Sequence, residues 1–497
     1  MRYKNPVLFS DYSDPDVIRA GDGFYMVASS FNNVPAVPVL YSQNLVEWRL
    51  INYVLDSLPF ERYNAARHGE GVCAPSIRYR DGKFYCLVSF PDEGIFVAET
   101  ENPYGKWSLL RPLMEGKGFI NPCPVWADGK CYVAFAFDRA RAGFDSEIAV
   151  FETDENLKTA AKDYKIIFDG ANGAPHASRP KIYVKDGCFY LLVSAGGAKN
   201  GWLVELRSKQ IYGPYESKVV FMQGDTYINA GGGALVDVDD EKWAFVHTRN
   251  IGAYGSAVYL QPTVWDDGWA MLGDYRGDKL AGTPAEEGEY PVNISSPVKV
   301  DPCDGFDGTR LSLLWHTPAN CGDGWFVLKR GLRLNCAYYG GNSLANLPQM
   351  LLQKICYRNF SVKTKCKLNL LNDGDETGFV VFGKEYAYAC VVRAGGQNFL
   401  EIRKGALGGG ADETLCRSQP YDDGTVTFQL SAKFESPDRL AYRFTFGKVA
   451  FTHVFYADSG VCSGAELGIY ARSSAKDGDG SVTFSYFREV CTDNRVK

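Results

Sequence analysis

His176–Ser194, "HASRPKIYVKDGCFYLLVS", is the stretch whose reading decides the fold. It reads as strand, tight turn and strand: two apolar runs rich in β-branched and aromatic residues flank an Asp-Gly dipeptide that tolerates positive φ. The same build recurs as "DPDVIRAGDGFYMVAS" from Asp14, "APSIRYRDGKFYCLVS" from Ala74 and "NPCPVWADGKCYVAFA" from Asn121. In each copy a proline stands ten residues before a tyrosine: Pro15 and Tyr25, Pro75 and Tyr85, Pro122 and Tyr132, Pro180 and Tyr190. A fifth unit, "GALVDVDDEKWAFVH", puts Gly233 and Trp243 in the equivalent places. Units about 45 to 60 residues apart match the inner strands of four-stranded blades, and five of them predict a five-bladed β-propeller over residues 1–293.

Composition agrees with an all-β chain. Its 14% aromatic residues, 52 glycines and 23 prolines suit short strands joined by tight turns, and no stretch sustains the 3.6-residue apolar period of a long helix. A length of 497 residues calls for two domains. The repeat stops after "WDDGWAMLG". Residues 294–305 then read as a linker, and the alternating runs of 306–497, such as "ETGFVVFGKEYAYACVV" and "AELGIYARS", predict a β-sandwich. A net charge of −6 without a basic block argues against a nucleic-acid partner, and no apolar run reaches the roughly 18 residues of a membrane helix. The opening "MRYKNPVLFSDYSDPD" lacks the apolar core of a secretion signal, so the expected location is the cytoplasm. Of the 14 cysteines, Cys86, Cys131, Cys188 and Cys390 sit inside apolar strand-like runs, which predicts reduced, packed thiols.

If the five unit heads face one mouth of the channel, that mouth collects Asp14 with Asp16 nearby, Ala74, Asn121, Ser178 with Arg179, and Gly231–Gly233. Asp14 in "SDPD" reads either as a turn former or as a functional carboxylate. Phe31, Trp126 and Tyr227 are the expected aromatic rim, a surface on which sugars stack. Hydrolysing a glycoside takes two carboxyl groups, one to activate water and one to protonate the departing oxygen.

Longer segments carry a family resemblance. "NPVLFSDYSDPDVIRAGDGFYMVASSFNNVPAVPVLYSQNLVEW", "GVCAPSIRY", "INPCPVWADGK", "GWLVELRSKQIYGPYE" and "GAYGSAVYLQPTVWDDGWAMLG" resemble glycoside hydrolase family 43, in particular its β-xylosidase-like and α-L-arabinofuranosidase-like members. "LSLLWHTPAN", "GLRLN", "LPQMLLQK" and "LGIYARSSAKDGDGSVTFSYF" are similar to the concanavalin-like sandwich that follows the propeller there. The resemblance implies hydrolysis with inversion of xylose- or arabinose-containing oligosaccharides by three acidic residues, with no cofactor required. Asp14 stands at the general base. Asn121 stands where an aspartate tunes the acid's pKa, and Ser178 where the acid itself, a glutamate before Gly-Pro, is usual. Cys73 replaces a tryptophan, Tyr227 and Gly232 an acidic and a polar residue, and Ser256 an arginine. His247 is retained where relatives place a histidine near a calcium ion or water in the channel; a histidine packed in the core is the other reading.

A serine hydroxyl cannot serve as a general acid near neutral pH, and losing a positioned acid costs about 10²- to 10⁴-fold. Three readings follow: a glycosidase with an altered or borrowed acid, a sugar-binding pseudoenzyme, or a scaffold whose sandwich holds a homo-oligomer. His176, Glu205 and Glu147 are the candidates for a borrowed acid. Arg179 either binds an acidic or phosphorylated sugar or fills vacated space and pairs with a local carboxylate.

Overall fold

The computed structural model describes residues 1–497 apart from 198–199, 225–231, 240, 278, 298–299, 409–412, 437–438, 447–448 and 494–497. The repeat units become the inner hairpins of five four-stranded antiparallel blades. The inner strands are Asp16–Ala20, Ser76–Arg80, Phe119–Ala127, Ser178–Lys185 and Gly233–Asp237. Behind them run the second strands, such as Lys83–Phe90 and Cys188–Ala195, which are buried on both faces between neighbouring blades. That double burial explains their continuous apolar sequence. The ring closes where Arg2–Lys4 pairs with Glu287–Glu289 and Val7 and Leu8 bond to Val258 of the fifth blade.

The hairpin register follows the proline-to-tyrosine spacing. Tyr25, Tyr85, Tyr132 and Tyr190 face Ile18, Arg78, Val125 and Tyr183 across two-residue turns. In blades two to four both turn residues have positive φ, as in Asp81–Gly82 (50° and 80°), which matches the right-handed twist of the strands. The fifth hairpin departs: Trp243 faces Asp237, one residue off the equivalence read from sequence, because its turn is longer.

Directly after the four head prolines stand Asp16, Ser76, Cys123 and Lys181, all essentially buried, which plug the channel. Asp16 Oδ2 accepts from Arg78 Nη1 at 2.7 Å and the Ile77 N–H at 2.9 Å, and lies 3.6 Å from Lys181 Nζ. Lys181 also donates to Pro75 O at 3.0 Å, and Arg78 Nη2 to Cys123 Sγ at 2.8 Å. Four blades are thereby tied around one buried charge.

The second domain is the β-sandwich expected from sequence. One sheet has Ser481–Cys491 and Phe360–Asn369 at its centre; the other is built on Glu466–Ser473, Glu376–Phe382 and Glu385–Ala394. Phe360, Phe379, Phe428, Phe444, Ile469 and Phe484 fill the space between them. All 14 cysteines are free thiols. Among the described residues no helix is long and apolar enough to cross a membrane.

Removing the channel charge tests this assembly. Asp16→Asn strands Arg78 and Lys181 without their carboxylate and is expected to destabilise the propeller by about 3 to 5 kcal/mol. Urea unfolding followed by tryptophan fluorescence reads the loss; a change below about 1 kcal/mol, the range of an exposed ion pair, would contradict it.

Candidate active site at the propeller mouth

A following proline pushes each head residue towards extended backbone, yet at the mouth all four take positive φ instead. Asp14 (φ 50°), Ala74 (45°), Asn121 (56°) and Arg179 (53°) share this conformation. The residue of the fourth blade equivalent to Asp14 is therefore Arg179, while Ser178 lies one position earlier, paired with Ser194 and half-buried. A non-glycine residue held at such a φ costs on the order of 1 to 3 kcal/mol, so the surroundings must hold it.

A serine repeat supplies part of that hold. Ser29 Oγ accepts the Ala74 N–H at 2.9 Å, and Ser89 Oγ accepts the Asn121 N–H at 3.3 Å: a serine at or just past the end of one blade's second strand caps the head of the next. The third blade has Ala136 at this place, and the Arg179 N–H turns instead to Asn121 Oδ1 at 3.3 Å. Asn121 is thus a structural acceptor for the fourth head.

Asp14 is enclosed. Oδ1 accepts from Arg179 Nε at 2.5 Å, Oδ2 accepts from Ser29 Oγ at 2.9 Å, and Cys73 Sγ lies 3.7 Å from Oδ2. Its side chain is only 10% exposed. Burial, with the charge of Asp14 added, pushes the Cys73 thiol up to about 12, so it stays protonated and adds no charge. The Asp14 charge in turn holds the Arg179 guanidinium above its ordinary pKa. Arg179 reaches Asp14 by crossing Gly232, where a Cβ would stand 2.3 Å from Arg179 Cδ. The glycine at 232 makes room for the arginine.

Phe31, at φ 49°, lies at this same end and bridges to Val72. Ser256 opens a strand of the fifth blade and donates its N–H to Asp11 Oδ1 at 2.7 Å. Tyr227 falls outside the described residues. Trp126 corrects the sequence reading: it lies five residues beyond Asn121, beside the Asp128–Gly129 turn, with Nε1 on Glu155 O at 2.8 Å and its ring against Tyr85 and Arg80. At roughly 3.3 Å per residue that is the opposite end of the channel.

The candidates for a borrowed acid separate. Glu205 does not face the channel; it is buried between the fourth and fifth blades, accepts the Ala270 N–H at 2.9 Å and is pushed up to about 7 by burial. Glu147 opens the third strand of its blade opposite Asp169, raised by burial and then by that neighbour. His176 is exposed on the loop entering the fourth blade, its Nδ1 3.0 Å from Asp145 Oδ2. His247 is enclosed by Phe221, Phe245 and Tyr259, with Nε2 3.1 Å from Gln261 Nε2, and burial pushes it down to about 3. Calcium takes six to eight oxygen ligands. Rings and one amide do not fit it, and among the described residues no cluster of three His, Cys, Asp or Glu side chains is placed to hold a metal.

Sequence reading missed the sandwich's share of the mouth. Asp11 Oδ2 accepts the Gly464 N–H at 3.1 Å, and a Cβ on Gly69 would meet Val461 and Cys462 of the same sandwich loop. Cys462 is exposed and close enough to Asp14 and Arg179 for both charges to act on its thiol. Behind this loop, Glu466 Oε1 lies 2.7 Å from His316 Nε2 and accepts from Asn33 Nδ2 at 3.1 Å; Lys354 donates to Asp11 O. Nothing local in "DSGVCSG" signals such a contact.

Fold and site together define a five-bladed propeller whose mouth is capped by a β-sandwich. Residues 3–270 match the family model of glycosyl hydrolases family 43, and residues 303–489 that of the beta xylosidase C-terminal concanavalin A-like domain. The chain belongs to glycosyl hydrolases family 43. It is 34% identical over 71% of its length to a putative beta-xylosidase of Xylanibacter ruminicola, of which the match covers 66%. It is 27% identical over 99% of its length to a non-reducing end alpha-L-arabinofuranosidase, BoGH43B, of Bacteroides ovatus, covering 95% of that protein. Among solved structures, a xylan beta-1,4-xylosidase from Bacillus halodurans superposes with a TM-score of 0.84 at 22% identity, over 98% of this chain and 99% of that one.

Glu205 gives a pH test. Its folded pKa of about 7 lies above the unfolded value, so the native state holds a proton that the unfolded chain releases, and stability falls as pH rises from about 4.5 through 7. The loss reaches about 3 kcal/mol by pH 8. Glu205→Gln keeps an acceptor for Ala270 and removes the titration. Its stability relative to the parent should rise between pH 5 and pH 8; a constant difference would contradict the assignment.

Proposed function

We propose that the protein is a carbohydrate-binding member of family 43 that takes xylose- or arabinose-containing oligosaccharides at the propeller mouth and hydrolyses them weakly or not at all. The observation that carries this reading is Arg179 Nε at 2.5 Å from Asp14 Oδ1. Inversion needs a carboxylate free to take a proton from water and an acid to protonate the leaving oxygen. Here the carboxylate at the base position, Asp14, is paired with a guanidinium, the acid position carries the Ser178 hydroxyl, and Asn121 is committed to the Arg179 N–H. The names of the relatives support the sugar class; the three positions support the loss of rate.

Leaving groups separate the binder from a working hydrolase. 4-Nitrophenolate leaves its glycoside without acid help, so any residual turnover should appear there and disappear in Asp14→Ala, while unactivated xylo-oligosaccharides stay intact. Rebuilding the acid is the converse test. Ser178→Glu with Arg179→Gly returns a carboxyl group and frees Asp14, and should raise hydrolysis of xylotriose about 10²- to 10⁴-fold. A parent that cleaves aryl and natural substrates at comparable rates would refute the proposal.

The His176–Asp145 pair favours one second reading, in which His176 donates the proton to the leaving oxygen. It requires that His176→Gln abolish the hydrolysis of unactivated substrates and leave aryl glycoside turnover unchanged. Unchanged hydrolysis of unactivated substrates discards it.

A further inference from the structure

The two ends of the Arg179 guanidinium have different commitments. Nε is bonded to Asp14, whereas Nη1 and Nη2 make no hydrogen bond among the described residues, and the side chain is 36% exposed. The stem is confined where it crosses Gly232, and the backbone N–H is held by Asn121. The group is therefore fixed from behind, and its two Nη groups are left uncommitted at the mouth. Such a fork matches the two oxygens of a carboxylate, and because its orientation is set beforehand little freedom is lost on binding.

We propose that the Nη fork of Arg179 recognises the carboxylate of an acidic sugar, so that the ligand of this mouth is a uronic-acid-bearing oligosaccharide. This rests on the sugar-binding reading above and narrows its substrate class. Three carboxylates around the mouth would repel an anionic ligand. With Asn121 and Ser178 neutral, Cys73 a protonated thiol and Asp14 paired, that repulsion is gone. Lys384, exposed on the sandwich, adds a second positive charge in the neighbourhood of Cys462. A sugar carboxylate is planar, as the fork is, and its two oxygens can meet both Nη groups; a sugar phosphate is the competing anion.

Calorimetric titration of the full chain tests this with three probes: xylotriose carrying one 4-O-methylglucuronic acid, the same compound with its carboxyl group reduced to an alcohol, and xylose 1-phosphate. The acidic compound is expected to bind about 10- to 100-fold more tightly than its reduced form, the range for hydrogen bonds to a charged group. That ratio should fall to about one in Arg179→Gln and most of the way in Arg179→Lys, which keeps the charge and loses the fork. Thermal melts check that both variants fold. Equal binding of the acidic and reduced compounds, a ratio that survives in Arg179→Gln, or tighter binding of the phosphate would overturn the inference. Binding of the reduced compound without preference for the acid defeats this inference alone; absence of binding by every compound defeats the sugar-binding reading as well.

Discussion

Asp16 places a negative charge where water scarcely reaches, and the propeller is organised around answering it. Its carboxylate is fully buried and met by Arg78 from the second blade and Lys181 from the fourth, while Arg78 continues to Cys123 of the third. A buried ion pair is costly to break because the surviving partner keeps its desolvation penalty. The four inner strands therefore cannot slide against each other without stranding a charge. Fixing the residue after each proline also fixes the residue before it. This is how a structural cluster inside the channel sets the positions of Asp14, Ala74, Asn121 and Arg179 at the mouth.

Framework and chemistry are carried by different atoms of these heads. The left-handed conformation, the serine caps and the prolines use backbone groups and second-strand hydroxyls, so the side chains at the mouth can change without disturbing the sheets. Where the family resemblance implies Glu-Gly-Pro, this chain has Ser178, Arg179 and Pro180. Arginine accepts a φ of 53° that glycine would take freely, and the strain is offset by its bond to Asp14, its contact with Gly232 and its N–H bond to Asn121. Substitutions at 121, 178, 179 and 232 thus form one connected set, in which each residue occupies space or bonding capacity released by another.

Much of the fold was legible because a repeat makes the same local argument several times. The proline-to-tyrosine spacing carried the hairpin register of four blades, and only the longer fifth turn displaced Trp243 by a residue. The position of Asp14 and its neighbours at one mouth was legible for the same reason. Side-chain direction and long-range contact were not. Trp126 lies close to Asn121 in sequence, but an extended strand carries it to the far end of the channel. Glu205 and His247 occupy strands whose faces meet a neighbouring blade, a fact set by how the blades stack. Cys462 reaches the mouth from the other domain, nearly 450 residues from Asp14, through a loop held by Asp11.

The account stands on a single claim: a family 43 framework is intact around a base held by arginine and lacking its acid. Release of xylose from xylobiose by the unmodified protein, followed over days at high protein concentration, tests that claim most directly. The account predicts release at or only slightly above the uncatalysed background from a preparation that still binds oligosaccharide. Release as fast as that from an aryl xyloside, and lost in Asp14→Asn, would contradict it.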